Sequence, residues 1–550
     1  MRPFNPPTLR AAILALAFAP AAAPAATDVP TIAPLLEGMG DYHRAVTTAS
    51  PEAQRFFDQG MVLAFGFNHA EAARAFRQAQ ALDPGCALCF WGEALVLGPN
   101  INAGMDAADN PRAHAAVQRA LALAERADGR ERALIGALAA RYAAEAPEDR
   151  SALDAAYAEA MGRVARRFPD DPDIQSLYAE ALMDTTPWDY WEADGRPKPV
   201  TETILATLER VMERHPDHPL ANHLYIHAVE KEHPERGVAA ADRLRGLVPG
   251  AGHLVHMPGH IYIRVGRYRE AIAVNEAAAA ADSAYIAQCH AQGLYTVGYM
   301  PHNHHFLAAA AAFAGEADKA IAAARHMRET QDTERMRQPG YTTLQQYWVM
   351  PYFALVRFGR WDALLAEPRP DADLLYPTGI WHYARGLALL RSGDTGGAIA
   401  ALKALAEIAE DPEMEASRIW DTNTMAQVLA IARDVLAGEI ALARGETGAG
   451  IARLRSAVAA EDRLVYVEPS DWYVPARHNL GAALLEAGRA AEAEAVYRRD
   501  LEIYPDNGWS LQGLARSLEA QGRAGEAGSV RRRLARAWTG SDLELAASRR

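Results

Sequence analysis

Two stretches near the end of the chain, LLEAGRAAEAEAVYRRDLEIYP (484–505) and SLEAQGRAGEAGSVRRRLARAW (517–538), align with Gly488 and Gly522 one 34-residue period apart. Ala493 pairs with Ala527 and Val496 with Val530 at the same offset. The helix–Gly–helix phrase recurs at VGRYREAI (265–272), AGEADKAI (314–321), FGRWDALL (358–365), SGDTGGAI (392–399) and RGETGAGI (444–451), with an early copy in NHAEAARAFRQAQALDP (68–84). This repeat constrains the fold more than any other feature. A single helical hairpin has an apolar face it cannot cover alone, so successive hairpins must stack into one continuous core.

The pattern resembles the tetratricopeptide repeat, with a small residue where two helices cross, an Ala72-to-Phe76 step and closing prolines at Pro84 and Pro505. The resemblance covers roughly residues 50–538 and implies an all-α superhelix whose first helices line a concave groove. The turn glycines Gly359 and Gly393 lie 34 residues apart but Gly266 and Gly315 lie 49 apart, so loops interrupt the array. Two such insertions are DTTPWDYWEADGRPKP (184–199) and EDPEMEASRIWDTNT (410–424), whose prolines and acidic turn residues oppose a continuous helix. Trp188 and Trp191 in the first are read either as groove residues under a lid or as packing within a surface loop.

The expected organisation is a leader over 1–26, a lead-in over 27–51, the solenoid over 52–540 with a histidine-rich centre at 215–305, and a tail over 541–550. Arg2 and Arg10, the apolar run AAILALAFA and the small-residue site Ala23-Pro24-Ala25 form an export signal removed near residues 25–26. The expected mature protein is soluble and periplasmic, without a stable membrane anchor. A net charge of −14 with no Lys/Arg-rich block repels a phosphate backbone and argues against nucleic acid as a partner.

Twelve of the 18 histidines fall between His215 and His305. His223/His227 and His256/His260 are i,i+4 pairs, so each pair shares one helix face. With Gly266 as position 15 of a 34-residue unit, His253, His256 and His260 occupy positions 2, 5 and 9. The same count puts His223 and His227 at 5 and 9 of the preceding unit, and His302 and His305 at 2 and 5 of the following one. In the tetratricopeptide pattern these positions face the groove. Neutral imidazoles on adjacent helices suit Cu, Fe or Zn, and Glu230 is placed to ligate or to orient a ring. The expected metal residues are His223, His227, His256, His260, His302, His304, His305 and Glu230, with His253 as a groove residue. His215, His218 and His233, beside helix-end prolines, are read as caps or surface residues. Pro258 is expected to kink its helix, and Pro351 sits at the same offset from its turn glycine.

Cys86-x2-Cys89 is read as a disulfide stapling a helix start or as a redox pair, with Glu93 on the face of Cys89. His382 and His478 fall at or near groove-facing steps. The segments CALCFWGEALVLGPNIN, HLYIHAVE, AGHLVHMPGHIYIRVGRY and PHNHHF together resemble a group of exported bacterial tetratricopeptide proteins. That likeness implies that the histidine segments act together, and it brings no reaction with it. No HExxH, G-x-S-x-G or phosphate-binding glycine loop is present. Two functions stay open: a metal-dependent enzyme, redox or hydrolytic, acting on a small molecule, or a scaffold holding a peptide or protein partner in its groove with a structural metal or none.

Overall fold

The turn glycines behave as the period requires. Gly266, Gly315, Gly359, Gly393, Gly445, Gly488 and Gly522 all adopt positive φ, between 62° and 88°, the left-handed conformation that stops a helix without a Cβ clash. Side chains start the next helix: Asn68 accepts from Glu71 N, Asp394 from Gly397 N and Asn507 from Ser510 N. The computed structural model describes residues 31–192, 194–289 and 295–550. Over these the chain is an all-α, tetratricopeptide-like solenoid in which most helices pack on their successors. Among the described residues the one sheet is a two-stranded ribbon, Arg418–Ile419 against Asn423–Thr424, inside the second insertion.

The superhelix winds tightly. Helix Pro51–Phe65 packs on helix Pro219–Val229, and helix Met300–Ala314 meets helix Gly508–Ala520. Trp509 Nε1 donates to the Ala312 carbonyl at 2.9 Å, the Tyr473 hydroxyl to that of Ala308 at 2.6 Å, and the Tyr268 hydroxyl to that of Pro505 at 2.8 Å. The concave side expected to be a groove is therefore filled, around the histidine segments, by the chain's own early and late turns.

Both ends of the described chain are tied down. In the lead-in, Arg44 bonds Asp171 and Asp173, and Gly250 N donates to the Gly38 carbonyl at 2.8 Å. In the tail, Ser548 Oγ donates to the His478 carbonyl at 2.8 Å, and Arg549 pairs with Glu439 and Glu486. The expected export signal lies outside the described residues, among which no helix is long and apolar enough to cross a membrane.

The two prolines at equal offset behave differently. Pro258 divides its segment into helices Gly252–His256 and Pro258–Arg264, whereas Pro351 lies inside the unbroken helix Leu344–Arg357. Met257 between the two halves keeps helical angles, φ −50° and ψ −37°. The helical screw thus carries through, and His253, His256 and His260 stay on one side.

Candidate metal centre

Three consecutive inner segments deliver the imidazoles. Helix Pro219–Val229 has proline in its first turn and carries His223 and His227 one turn apart, with Glu230 just past its end. The split segment carries His253, His256 and His260, and helix Met300–Ala314 carries His302 and His305. The side chains form two triads, His223/His227/His253 and His256/His260/His302; within each, the ligating atoms all lie within 4.8 Å of one another. The triads abut. His227 and His260 have ring centroids 5.6 Å apart, and His253 and His256 5.7 Å. His223 and His256 are fully buried, His227, His253 and His260 are at most 5% exposed, and His302 is half-buried.

Hydrogen bonds assign the tautomers. His223 Nδ1 lies 2.6 Å from the Phe65 carbonyl oxygen, an acceptor, so it carries the proton. His227 Nδ1 lies 3.1 Å from Glu230 Oε1, and His260 Nδ1 pairs with Glu230 Oε2. His256 Nδ1 lies 2.7 Å from Asn275 Oδ1, whose amide nitrogen donates to the Ala271 carbonyl and thereby fixes the oxygen toward the ring. Three rings thus spend their Nδ1 hydrogens on outer hydrogen-bond partners and turn Nε2 inward, and His260 sets Nδ1 against the Glu230 carboxylate as an ion-pair contact. The arrangement is like that which carboxylate and carbonyl partners impose on metal-ligating histidines. Gly259 makes room for one of these partners, since a Cβ there would stand 2.8 Å from Asn275 Nδ2.

The inward nitrogens are crowded, and four of them are unsatisfied. His256 Nε2 and His260 Nε2 face each other at 3.0 Å. The Nε2 atoms of His223 and His227, and both ring nitrogens of His253, are buried without a hydrogen-bond partner. Burial pushes the basicity of His223, His253, His256 and His302 well down, and neighbouring imidazoles add to it, so these rings are neutral. Burial also opposes a charge on Glu230, but His260 and His227 outweigh it and hold the carboxyl at about 2.

Aromatic rings wall the cluster. Phe67 lies 4.6 Å from His223 and 5.5 Å from His253, and Phe306 lies 4.6 Å from His256 and 4.4 Å from His260. Tyr299 stands 4.9 Å from His253. Trp188, from the first insertion, is 43% exposed and sits edge-on to His227 at 5.1 Å. Trp420, from the second, lies 6.5 Å from His302. Beside His260, burial pushes Glu468 up to about 7 against the pull of Arg264 and His260.

Not every expected site residue is gathered here. His304 turns outward and packs on His326 at 4.2 Å, because it follows His302 by two residues and so falls on another helix face. His305 is buried with both nitrogens unpartnered, its ring 6.3 Å from His302, yet it belongs to neither triad. Trp191 is buried and donates Nε1 to the Ala228 carbonyl at 2.8 Å, a packing role rather than a groove one. Glu93 accepts from Gln80 at 2.7 Å and Arg112 at 2.9 Å, away from any imidazole cluster. His382 packs on Trp381, and His478 is bound to Arg357 and Asp500. Cys86 and Cys89 form a buried disulfide at a helix start. His218 both caps its helix, accepting from Ala221 N, and is buried against Asp173.

Several contributors escaped the sequence reading: the Phe65 carbonyl, Phe67, Asn275, Tyr299, Trp420 and Glu468. Asn275 had a weak signal as a polar residue in a second helix otherwise rich in alanine. Tyr299 directly precedes the helix that carries His302, and the other four reach the cluster only because the superhelix closes.

No protein-family model matches the chain, and no curated protein matches it. Among solved structures, the human IFIT1 dimer with m7Gppp-AAAA is similar at 12% identity over 89% of this chain and 91% of that one, with a TM-score of 0.29. The APC/C hetero-tetramer Cut9–Hcn1 is similar at 12% identity over 90% and 95%, with a TM-score of 0.25. Scores this low carry no argument about ligand or mechanism. The solenoid reading rests on the chain's own turns and packing.

Proposed function

We propose that this is a transition-metal protein whose buried histidine cluster supports chemistry on a small molecule. One observation carries the reading: the Nε2 atoms of His256 and His260 face each other at 3.0 Å while His256 Nδ1 is bonded to Asn275 and His260 Nδ1 lies against the Glu230 carboxylate, an arrangement that turns both Nε2 lone pairs on one point. Two like lone pairs at that distance repel unless a cation lies between them. Donors on one ion at bond lengths of about 2.0–2.1 Å stand roughly 3.0–3.4 Å apart, which matches. A shared proton would relieve that one contact but leave the unpartnered nitrogens of His223, His227 and His253 unexplained.

All-imidazole donors without thiolate favour Cu, Fe or Zn. Three protein ligands on an ion leave a coordination position open, which is the requirement for activating water, oxygen or peroxide. Burial of the cluster and the half-exposed Trp188 above His227 favour a small molecule over an extended peptide. We also propose export, in keeping with the leader and with the likeness to exported tetratricopeptide proteins.

The test is metal analysis of the full chain after reconstitution with Cu, Fe and Zn, beside His256→Ala/His260→Ala. Tight metal in the wild type, lost in the double variant with the helical signal intact, is expected. Sub-stoichiometric metal in both would sink the reading.

A further inference from the structure

We infer that the centre is a two-ion site, built by writing one ligand motif twice along the repeat, with Glu230 as the link between the copies. This rests on the metal reading above and goes beyond it in ion number, ligand partition and class of ligand.

The first triad takes an i,i+4 pair, His223 and His227, from one inner segment and a single histidine, His253, from the next. The second takes an i,i+4 pair, His256 and His260, from that next segment and a single histidine, His302, from the one after. In each case the single histidine precedes by three residues the place where the pair would begin on its own unit: His253 before His256, and His302 before His305. The two triads are thus one motif displaced by one repeat. The series ends cleanly on both sides. Leu220 stands three residues before His223, and Ala309 stands four after His305, so neither a preceding nor a following copy is complete. That accounts for His305, buried beside the cluster yet outside both triads.

The copies are too close to be independent. Glu230 places one carboxylate oxygen on His227 Nδ1 and the other on His260 Nδ1, so a single anion orients one ring of each triad. Two cations bring more charge than one buried carboxylate offsets. The pair therefore favours a small anionic or diatomic oxygen ligand, such as hydroxide or peroxide, spanning the ions. Phe67 and Phe306 flank the triads with apolar rings, which offer no hydrogen bonds to a larger polar ligand.

The experiment titrates Cu(II) and Zn(II) into the chelator-stripped full chain and reads bound stoichiometry by elemental analysis. Wild type should hold two ions, His253→Ala and His302→Ala one each, and the double variant none, whereas His305→Ala should keep both. One ion in the wild type, lost in either single variant, would mean a single shared site and overturn the two-ion inference while leaving metal binding intact. No ion in the wild type would overturn both. Two ions retained in the double variant would overturn the ligand partition. Should the variants fail to fold by circular dichroism, the unmutated chain still decides. Loaded with two Cu(II), it should show coupled spins, either as a half-field electron paramagnetic resonance line or as a signal well below that of two isolated ions, and a purely mononuclear spectrum of full intensity at that loading would overturn the link.

Discussion

His256 and His478 are both buried histidines on inner helices, and they do opposite things. His478 has both nitrogens engaged: Arg357 Nη1 donates to Nδ1 at 2.6 Å, and Nε2 donates to Asp500 Oδ2 at 2.9 Å. Its ring is a strut between two helices. His256 has one nitrogen engaged by Asn275 and turns the other toward two further imidazoles, His260 and His302, of which His260 presents its own Nε2 at 3.0 Å. Burial and residue type are the same, so neither separates a strut from a ligand. What separates them is whether the hydrogen-bond count closes within the protein. His218 closes as well, with Nδ1 accepting from Ala221 N and Nε2 on Asp173.

The largest expected effect breaks the closed region. Asp500 accepts from His478, Asn507 and Ser510 while buried. Asp500→Ala leaves those donors and Arg357 without their anion, and should cost about 3–5 kcal/mol in chemical denaturation. Metal content of the surviving folded protein should not change. A proportional loss of metal would show that strut and cluster are not separable.

A smaller effect sharpens the open region. Asn275→Ala removes the group that fixes the His256 tautomer, and should weaken metal binding by roughly 10–100-fold. Measured by competition with a chelator of known affinity, this loss should far exceed any shift in the melting of metal-free protein. Unchanged affinity would reduce Asn275 to packing.

The smallest tests the closed pair at His218. Burial works against ionisation of Asp173, but His218 and Arg44 outweigh it and hold the carboxyl at about 2. A carboxyl depressed by folding contributes stability above its unfolded value, which is lost as pH falls through its folded one. About 2 kcal/mol should therefore disappear between about pH 4 and pH 2. Comparison of denaturation midpoints with Asp173→Asn, which should lack that slope, checks it. Equal slopes would place the acid sensitivity elsewhere.

The i,i+4 spacing made His223, His227, His256 and His260 legible as pairs, and the turn glycine Gly266 made the facing side of His256 and His260 legible as well. Spacing misled at His304, because proximity in sequence to His302 and His305 says nothing about helix face unless the two-residue offset is counted. It also left His253 outside the ligand set, as a groove residue, because His253 has no histidine partner four residues along its own segment. Phe65, Phe67, Trp420 and Glu468 were not legible at all. They lie some 120 to 210 residues from the histidines they meet, and a local pattern carries no information about how far a superhelix turns.

From the sequence alone came the helical-hairpin architecture, the position of its turns and the register that puts imidazoles on one face of three successive inner segments. These are short-range matters, set by helix geometry and by glycine's access to positive φ. Tertiary structure alone decided that the face is closed rather than open, that six of the imidazoles divide three and three, and that Glu230 serves both groups. Those outcomes depend on the rotation between stacked hairpins, a sum of many small packing angles that no single segment encodes.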